Sequence, residues 1–100
     1  MKPSNEALSL FDTMYSMQKL RDGAEHCLSM VDAMSIDARS RHMYERNARE
    51  FNTKRNEAMV ALFALGYAAA MDEDNCNTPT LWRDGKAVAY WHDFGCVELA

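Results

Sequence analysis

The feature that most constrains this fold is one long apolar stripe in the middle of the chain. Its positions alternate in steps of four and three residues, as on one face of an α-helix. They are Tyr44, Ala48, Phe51, Arg55, Ala58, Leu62, Leu65 and Ala69. The spacing predicts one helix over residues 37–71. Almost no polar residue interrupts the sequence from Ala58 to Met71, so this end should be covered on most sides.

A second apolar pattern predicts a helix over residues 4–34. Ser4 is a suitable N-cap, and Glu6 lies in the first turn, where the helix dipole favours a negative charge. The pair Asp22-Gly23 is a place where this helix could break. However, apolar residues keep the four-and-three spacing on both sides of it, and a glycine inside a helix costs only ~1 kcal/mol relative to alanine. We therefore expect a continuous or mildly kinked helix, with a break at Gly23 as the alternative.

The connection between the two helices is short, near residues 35–37, which predicts that they lie antiparallel and side by side. After the second helix, residues 72–79 are rich in Asp, Asn and Pro and predict an acidic loop. The dipeptide Asp84-Gly85 between two apolar segments is a strong hairpin signal and predicts a β-ribbon over residues 80–99.

A two-residue turn at Asp84-Gly85 also predicts which residues pair across the hairpin. It places Trp82 opposite Ala87 and Leu81 opposite Val88. Both faces of such a ribbon are apolar, and residues 94–99 could return as a third strand. The 100 residues are thus expected to form a single α+β domain, mainly α. It consists of a long antiparallel helical hairpin followed by a small C-terminal antiparallel β-hairpin or three-stranded ribbon.

Charge is distributed unevenly along the chain. The net charge of −4 is the sum of −2 over residues 1–36, +2 over residues 37–71 and −4 over residues 72–100. The start of the chain lacks a targeting pattern, and the longest apolar run is shorter than the ~20 residues that cross a bilayer. Three cysteines without a Cys-x-x-Cys pair indicate a reducing compartment. We expect a cytoplasmic protein without a membrane partner.

The basic residues of the second helix form a stripe that has two interpretations. The stripe consists of Arg39, His42, Arg46 and Arg49, and Arg41 and Lys54 extend it. It could bind the phosphates of a nucleic acid, or it could be a solvated helix face stabilised by Glu45 and Glu50, which lie within one turn of its basic residues. The interleaved acids favour the second interpretation, so direct nucleic-acid binding is not expected. Arg55 lies inside the apolar stripe and should reach solvent or pair with Asp12 or Glu25.

No residue set predicts a catalytic or a metal site. Of the three cysteines and three histidines, His92 and Cys96 are close in sequence, whereas structural zinc sites use two close pairs. Glycine-rich phosphate loops and the common hydrolase motifs are absent from the sequence. We therefore expect no catalytic residues, no cofactor and no enzymatic activity.

The aromatic residues near the C-terminus are the feature that folding explains least. Trp82, Tyr90, Trp91 and Phe94 fall within thirteen residues, and Trp, Tyr and Arg dominate the energetics of protein–protein interfaces. With the nearby acids they suggest a partner-binding surface. Its predicted members are Asp72, Glu73, Asp74, Trp82, Arg83, Asp84, Tyr90 and Trp91. Alternatively, a third strand or a second subunit covers the spare face.

A short acidic, methionine-rich helical hairpin followed by an aromatic ribbon, without a catalytic or targeting motif, resembles the profile of small phage-encoded anti-defence proteins such as anti-CRISPR inhibitors. The resemblance covers the chain as a profile and assigns no functional residues. It implies a non-enzymatic inhibitor that occludes a nucleic-acid-handling surface of a larger host protein or ribonucleoprotein complex. Two alternatives are a self-assembling helical protein, as a homodimer, and a small nucleic-acid-binding adaptor that uses the basic stripe.

Overall fold

The computed structural model of the protein describes residues 2–34, 38–92 and 94–99. Two long helices precede a sheet of four strands. The elements are α1 (Asn5–Met34), α2 (Ala38–Ala64), β1 (Ala68–Asp72), a 3-10 turn (Glu73–Asn75), β2 (Thr78–Arg83), β3 (Lys86–His92) and β4 (Gly95–Glu98). The predicted class, α+β and mainly α with a C-terminal antiparallel ribbon, is confirmed, although the ribbon has one strand more than expected. The predicted turn at residues 35–37 lies outside the described residues.

Helix α1 begins and continues as the sequence predicts. The Ser4 hydroxyl accepts a hydrogen bond from the Ala7 amide at 3.1 Å, which is the N-cap arrangement. The helix passes through Gly23 without a break. It lies antiparallel to α2, because Arg21 donates to Asn52 at 2.8 Å and Arg55 donates to Gln18 at 2.9 Å, so residue numbers fall along α1 as they rise along α2.

The prediction that the second helix reaches Met71 is wrong, because the chain leaves the helix at Gly66. Gly66 has a φ of +90°, a conformation that glycine adopts without strain. Its amide donates to the Phe63 carbonyl at 2.9 Å, and the Tyr67 amide donates to the Leu62 carbonyl at 3.3 Å. This pair of bonds is the Schellman motif that ends many helices. The following alanines form β1 instead of a further helical turn.

Two glycine substitutions test this account of the helix end. We expect Gly66→Ala to lower the free energy of unfolding by about 1 kcal/mol or more, because alanine is strained at a positive φ. We expect Gly23→Ala to raise it by up to about 1 kcal/mol. An added Cβ meets no atom within 4 Å at either position, so the difference in sign reports backbone conformation. Urea denaturation measures both, and a shift of the same sign in the two variants would contradict the assignment.

The four strands form an antiparallel meander in the order β1-β2-β3-β4. The predicted hairpin turn is present, since Asp84 and Gly85 have φ values of +51° and +77°, as a type I′ turn requires. Arg83 pairs with Lys86 across it.

Beyond the turn, the register of the hairpin departs from the prediction. Trp82 pairs with Ala87 as expected, but Leu81 pairs with Ala89 and not with Val88. The irregularity places one extra residue on β3, as in a β-bulge. Because a shift of one residue moves a side chain to the other face of a sheet, Leu81 lies on the same side as Ala89, and Trp82 lies on the opposite side.

The core lies between the sheet and the two helices. It is a cluster of Ala7, Phe11, Met14, Tyr15, Ala58, Leu62, Tyr67, Leu81, Ala89 and Trp91. Helix α1 packs against β3 and β4, and α2 packs against β1. Neither described helix contains an apolar stretch of the length and hydropathy that a membrane crossing requires.

The apolar end of α2 is less covered than its sequence suggested. Ala58 and Leu62 are buried, but Val60 is 65% exposed and Phe63 is 75% exposed. The expectation of cover on most sides is therefore wrong. Helix α1 and the sheet cover the side of this segment that carries Ala58 and Leu62, and Val60 and Phe63 lie outside that contact.

Candidate binding surface

The face of the sheet turned away from the helices is the main candidate site. We call it the outer face, and it comprises Thr80, Trp82, Ala87, Tyr90 and Val97. Val97 pairs with Tyr90, and Tyr90 pairs with Thr80, so these side chains form a row across three strands. Thr80 is 2% exposed and Val97 is 41% exposed. Trp82 and Tyr90 are half-buried, so the two aromatic rings keep contact with solvent.

The Trp82 ring is held in a defined position. Its indole Nε1 donates to the Ala70 carbonyl at 3.4 Å, so the ring extends from β2 toward β1. A fixed aromatic ring loses little conformational entropy when it binds, which is one reason why Trp is enriched in binding hot spots. Val97 was not among the predicted site residues, and its place beside Tyr90 becomes visible once the β3–β4 register is known.

Trp91 was also predicted to contact a partner, but the structure places it in the core. Its indole Nε1 donates to the Asp12 carboxylate at 2.9 Å. Its ring centroid lies 6.0 Å from that of Tyr15, and the Lys19 ammonium lies 5.9 Å from the ring. The spare aromatic surface is therefore smaller than the sequence suggested, because Leu81 and Trp91 are buried and Trp82 and Tyr90 remain accessible.

The predicted acidic loop is a short 3-10 turn between β1 and β2. The Asp72 carboxylate caps it by accepting from the Asp74 amide at 3.1 Å. Glu73 and Asp74 are exposed. Asp72 therefore has a structural role, and the other two carboxylates present negative charge to solvent at this end of the sheet.

Arg83 and Asp84 lie at the opposite end of the sheet from the acidic turn. The Arg83 Nη1 donates to the Tyr67 hydroxyl at 2.9 Å, and its guanidinium lies 5.0 Å from the Tyr67 ring centroid. The same hydroxyl accepts from the Ser4 amide at 3.4 Å. Arg83 thus ties β2 to the start of the chain, and the structure does not bring Asp84 together with the acidic turn.

The basic stripe of α2 is exposed, and acids lie between its members. Arg39, His42, Arg46 and Arg49 all face solvent. The Glu45 carboxylate accepts from the Arg41 Nε at 3.0 Å and lies 3.6 Å from the His42 Nδ1. The hydrogen bond from Arg41 lowers the pKa of Glu45. This arrangement agrees with the interpretation of the stripe as a solvated helix face.

Arg55 finds a different partner from either acid predicted for it. Its Nε donates to the Gln18 side chain at 2.9 Å, and its Nη1 donates to the Asn56 side chain at 3.0 Å. Asp12 instead accepts from Trp91 and, at 3.3 Å, from the Ser16 hydroxyl. The guanidinium therefore joins the two helices through neutral hydrogen-bond partners.

The cysteines and histidines do not converge. Within the described residues, no three His, Cys, Asp or Glu side chains lie close enough to hold a metal ion. The Cys96 thiol donates to the Leu8 carbonyl at 3.4 Å. Burial, with a smaller effect of the Asp12 charge, raises the pKa of Cys96 from 9.0 to about 11. A thiol in this state is a poor nucleophile and a poor metal ligand.

The chain was also compared with known proteins. It matches no protein-family model, no curated protein and no solved structure. The geometry and charge of its surface are therefore the basis for the function proposed below.

Proposed function

We propose that this protein is a non-enzymatic binding module of the anti-CRISPR type. In this proposal it inhibits a larger host protein or ribonucleoprotein complex by occluding a surface that handles nucleic acid. The single observation that supports it most is the outer face of the sheet, where Trp82, Tyr90 and Val97 keep solvent contact beside an acidic turn. Aromatic residues at a rigid site with a charged rim are the usual components of a protein-binding surface.

Charge complementarity indicates the kind of partner. Surfaces that hold nucleic acid are basic, because they neutralise phosphates with Lys and Arg. Residues 72–100 of this chain carry a net charge of −4 (two bases and six acids). The exposed Glu73 and Asp74 are attracted to such a surface, where the protein competes with the nucleic acid. This attraction raises the association rate and disfavours neutral or acidic partners.

Inhibition of purified RNA-guided nucleases and surveillance complexes tests the function. The protein is added before or after the target DNA, and DNA binding is followed by gel shift. We expect inhibition when it is added first, complete at a fixed molar ratio to the complex, because occlusion is stoichiometric. Inhibition by far less than one molecule per complex would instead indicate an enzyme, and full DNA binding at every ratio would refute the proposal for the complexes tried.

A pair of charge reversals tests the acidic turn. We expect Glu73→Lys with Asp74→Lys to weaken binding to the inhibited complex about tenfold or more at low salt, mainly by slowing association. The loss should shrink as salt rises. Asp72 is left unchanged because it caps the turn. The matched control reverses Glu50 and Glu57, two exposed acids on α2, and should bind as the wild type does. Equal affinity of both double variants would refute the role of the turn.

A further inference from the structure

Within the described residues, no strand pairs with the outer edge of β1, and this edge lacks the usual protection. β1 is the first strand in the sheet order, and it is Ala68-Ala69-Ala70-Met71-Asp72. Edge strands are commonly guarded by lysine, proline or a bulge. In contrast, β1 pairs with β2 in regular register along its whole length, and its one charge is at its last position. Ala68, Ala70 and Met71 are exposed on this strand.

We propose that a second copy of this chain pairs with this edge, β1 against β1, to form a continuous eight-stranded antiparallel sheet. Full overlap of the two strands places the twofold axis at Ala70. Ala69 then lies opposite the partner's Met71, and Ala68 lies opposite the partner's Asp72. No like charges face each other, so the strand is complementary to itself. This pairing does not rest on the function proposed above, because it leaves the outer face of each copy open.

Helix α2 supplies the second contact that such a dimer needs. A pair of five-residue strands alone buries far less than the roughly 1,200 Å² of a stable interface. Helix α2 leads into β1 and packs against it, and its Leu62 belongs to the same core cluster as Leu81 of β2. It therefore lies on the side of the molecule that carries the outer edge of β1, where it leaves Val60 and Ala64 exposed.

Strand and helix spacings are compatible with both contacts at once. In the proposed dimer, a helix that lies over the first two strands has its symmetry copy about two strand spacings away, roughly 10 Å. The axes of two packed helices are about 8–10 Å apart. The sheet and the helix layer can therefore extend together across the axis, with Val60 and Ala64 near the new helix contact.

The proposal predicts different effects on dimer association for two lysine substitutions in β1. Ala68 and Ala70 are both exposed and lie on the same face of β1. Ala70→Lys places two ammonium groups directly opposite each other at the twofold axis, and we expect the dimer association constant to fall about tenfold or more. Ala68→Lys places each ammonium opposite an Asp72 of the other copy and should leave association equal or stronger. Light scattering coupled to size exclusion measures the mass against the 11.4 kDa chain.

Hydrogen exchange of the wild type keeps the test decisive even when a variant fails to fold. We expect the β1 amides that point away from β2 to become protected as protein concentration rises, and the β4 amides to stay unchanged. If the wild type is still a monomer at its solubility limit, the proposal is wrong. The edge of β1 would then be available to a strand of another protein. A dimer that survives Ala70→Lys, or one without added β1 protection, would overturn it as well.

Discussion

Replacing Phe11 by alanine should lower the free energy of unfolding by about 3–5 kcal/mol. Phe11 is fully buried, and its ring meets that of Tyr15 edge-on with 5.4 Å between centroids. The substitution removes apolar surface from the core and leaves a cavity that its neighbours fill only in part. Phe63 is the matched control, since it is 75% exposed and its replacement by alanine should change the free energy of unfolding by less than about 0.5 kcal/mol.

Urea denaturation followed by circular dichroism measures this difference. Small domains are stable by only about 5–15 kcal/mol, so Phe11→Ala is expected to populate the unfolded state at moderate temperature. Phe11→Leu fills most of the same space and gives a milder variant that remains folded. Similar losses at Phe11 and Phe63 would show that the core is not centred on α1 and the sheet.

Cys96 should react with thiol reagents about a hundredfold more slowly in the folded protein than in the unfolded chain, at about pH 8. The thiolate is the reacting species. A pKa raised from 9.0 to about 11 cuts the thiolate fraction by about ten for each pKa unit. Cys76 is exposed and serves as the internal control. Mass spectrometry after timed alkylation identifies the labelled residue, and equal labelling of both cysteines would contradict the burial of Cys96.

The same thiol makes stability depend on pH in the alkaline range. Its pKa is higher in the folded state, so folding favours the protonated thiol. That contribution is present below the unfolded pKa, near 9.0, and is lost as pH rises through about 11. Burial raises the pKa of Tyr15 too, which acts in the same direction. The contribution of the thiol is measured as the difference in the free energy of unfolding between the wild type and Cys96→Ala. This difference should become smaller as pH rises from 9.0 to about 11.

The spacing of apolar residues predicted both helices. It failed at the end of α2, where the helical pattern continues although the chain forms a strand. Residues 58–71 continue the helical stripe, and alanine is a good helix former and a poor strand former. Gly66 was the one local sign of an end, and the packing of Tyr67 and Ala69 on the core decided in favour of a strand. The Asp84-Gly85 dipeptide predicted the hairpin turn correctly, because a type I′ turn depends only on the local backbone conformation of its residues.

Of the outer face, Trp82 and Tyr90 could be predicted from the sequence as candidate surface residues. The sequence predicted a surface position for both Trp82 and Trp91. The register shift between Leu81 and Trp82 decides which of the two rings faces the helices. Bulges of this kind depend on how strands fit over a core, so residue patterns do not predict them. The hydrogen bond between Trp91 and Asp12 joins residues 79 positions apart, and no local pattern encodes it.

The order of the strands also bears on how the chain folds. Each strand of the meander pairs with the one before it, and the helices are neighbours in sequence, so most of the structure can form from short-range encounters, which are rapid. The contacts between the most distant parts of the chain join α1 to the last two strands: Asp12 to Trp91 and Leu8 to Cys96, 79 and 88 positions apart. Closing these longest loops costs the most chain entropy. Docking of the amino-terminal helix onto the carboxyl-terminal strands is thus the step on which the folding rate should depend.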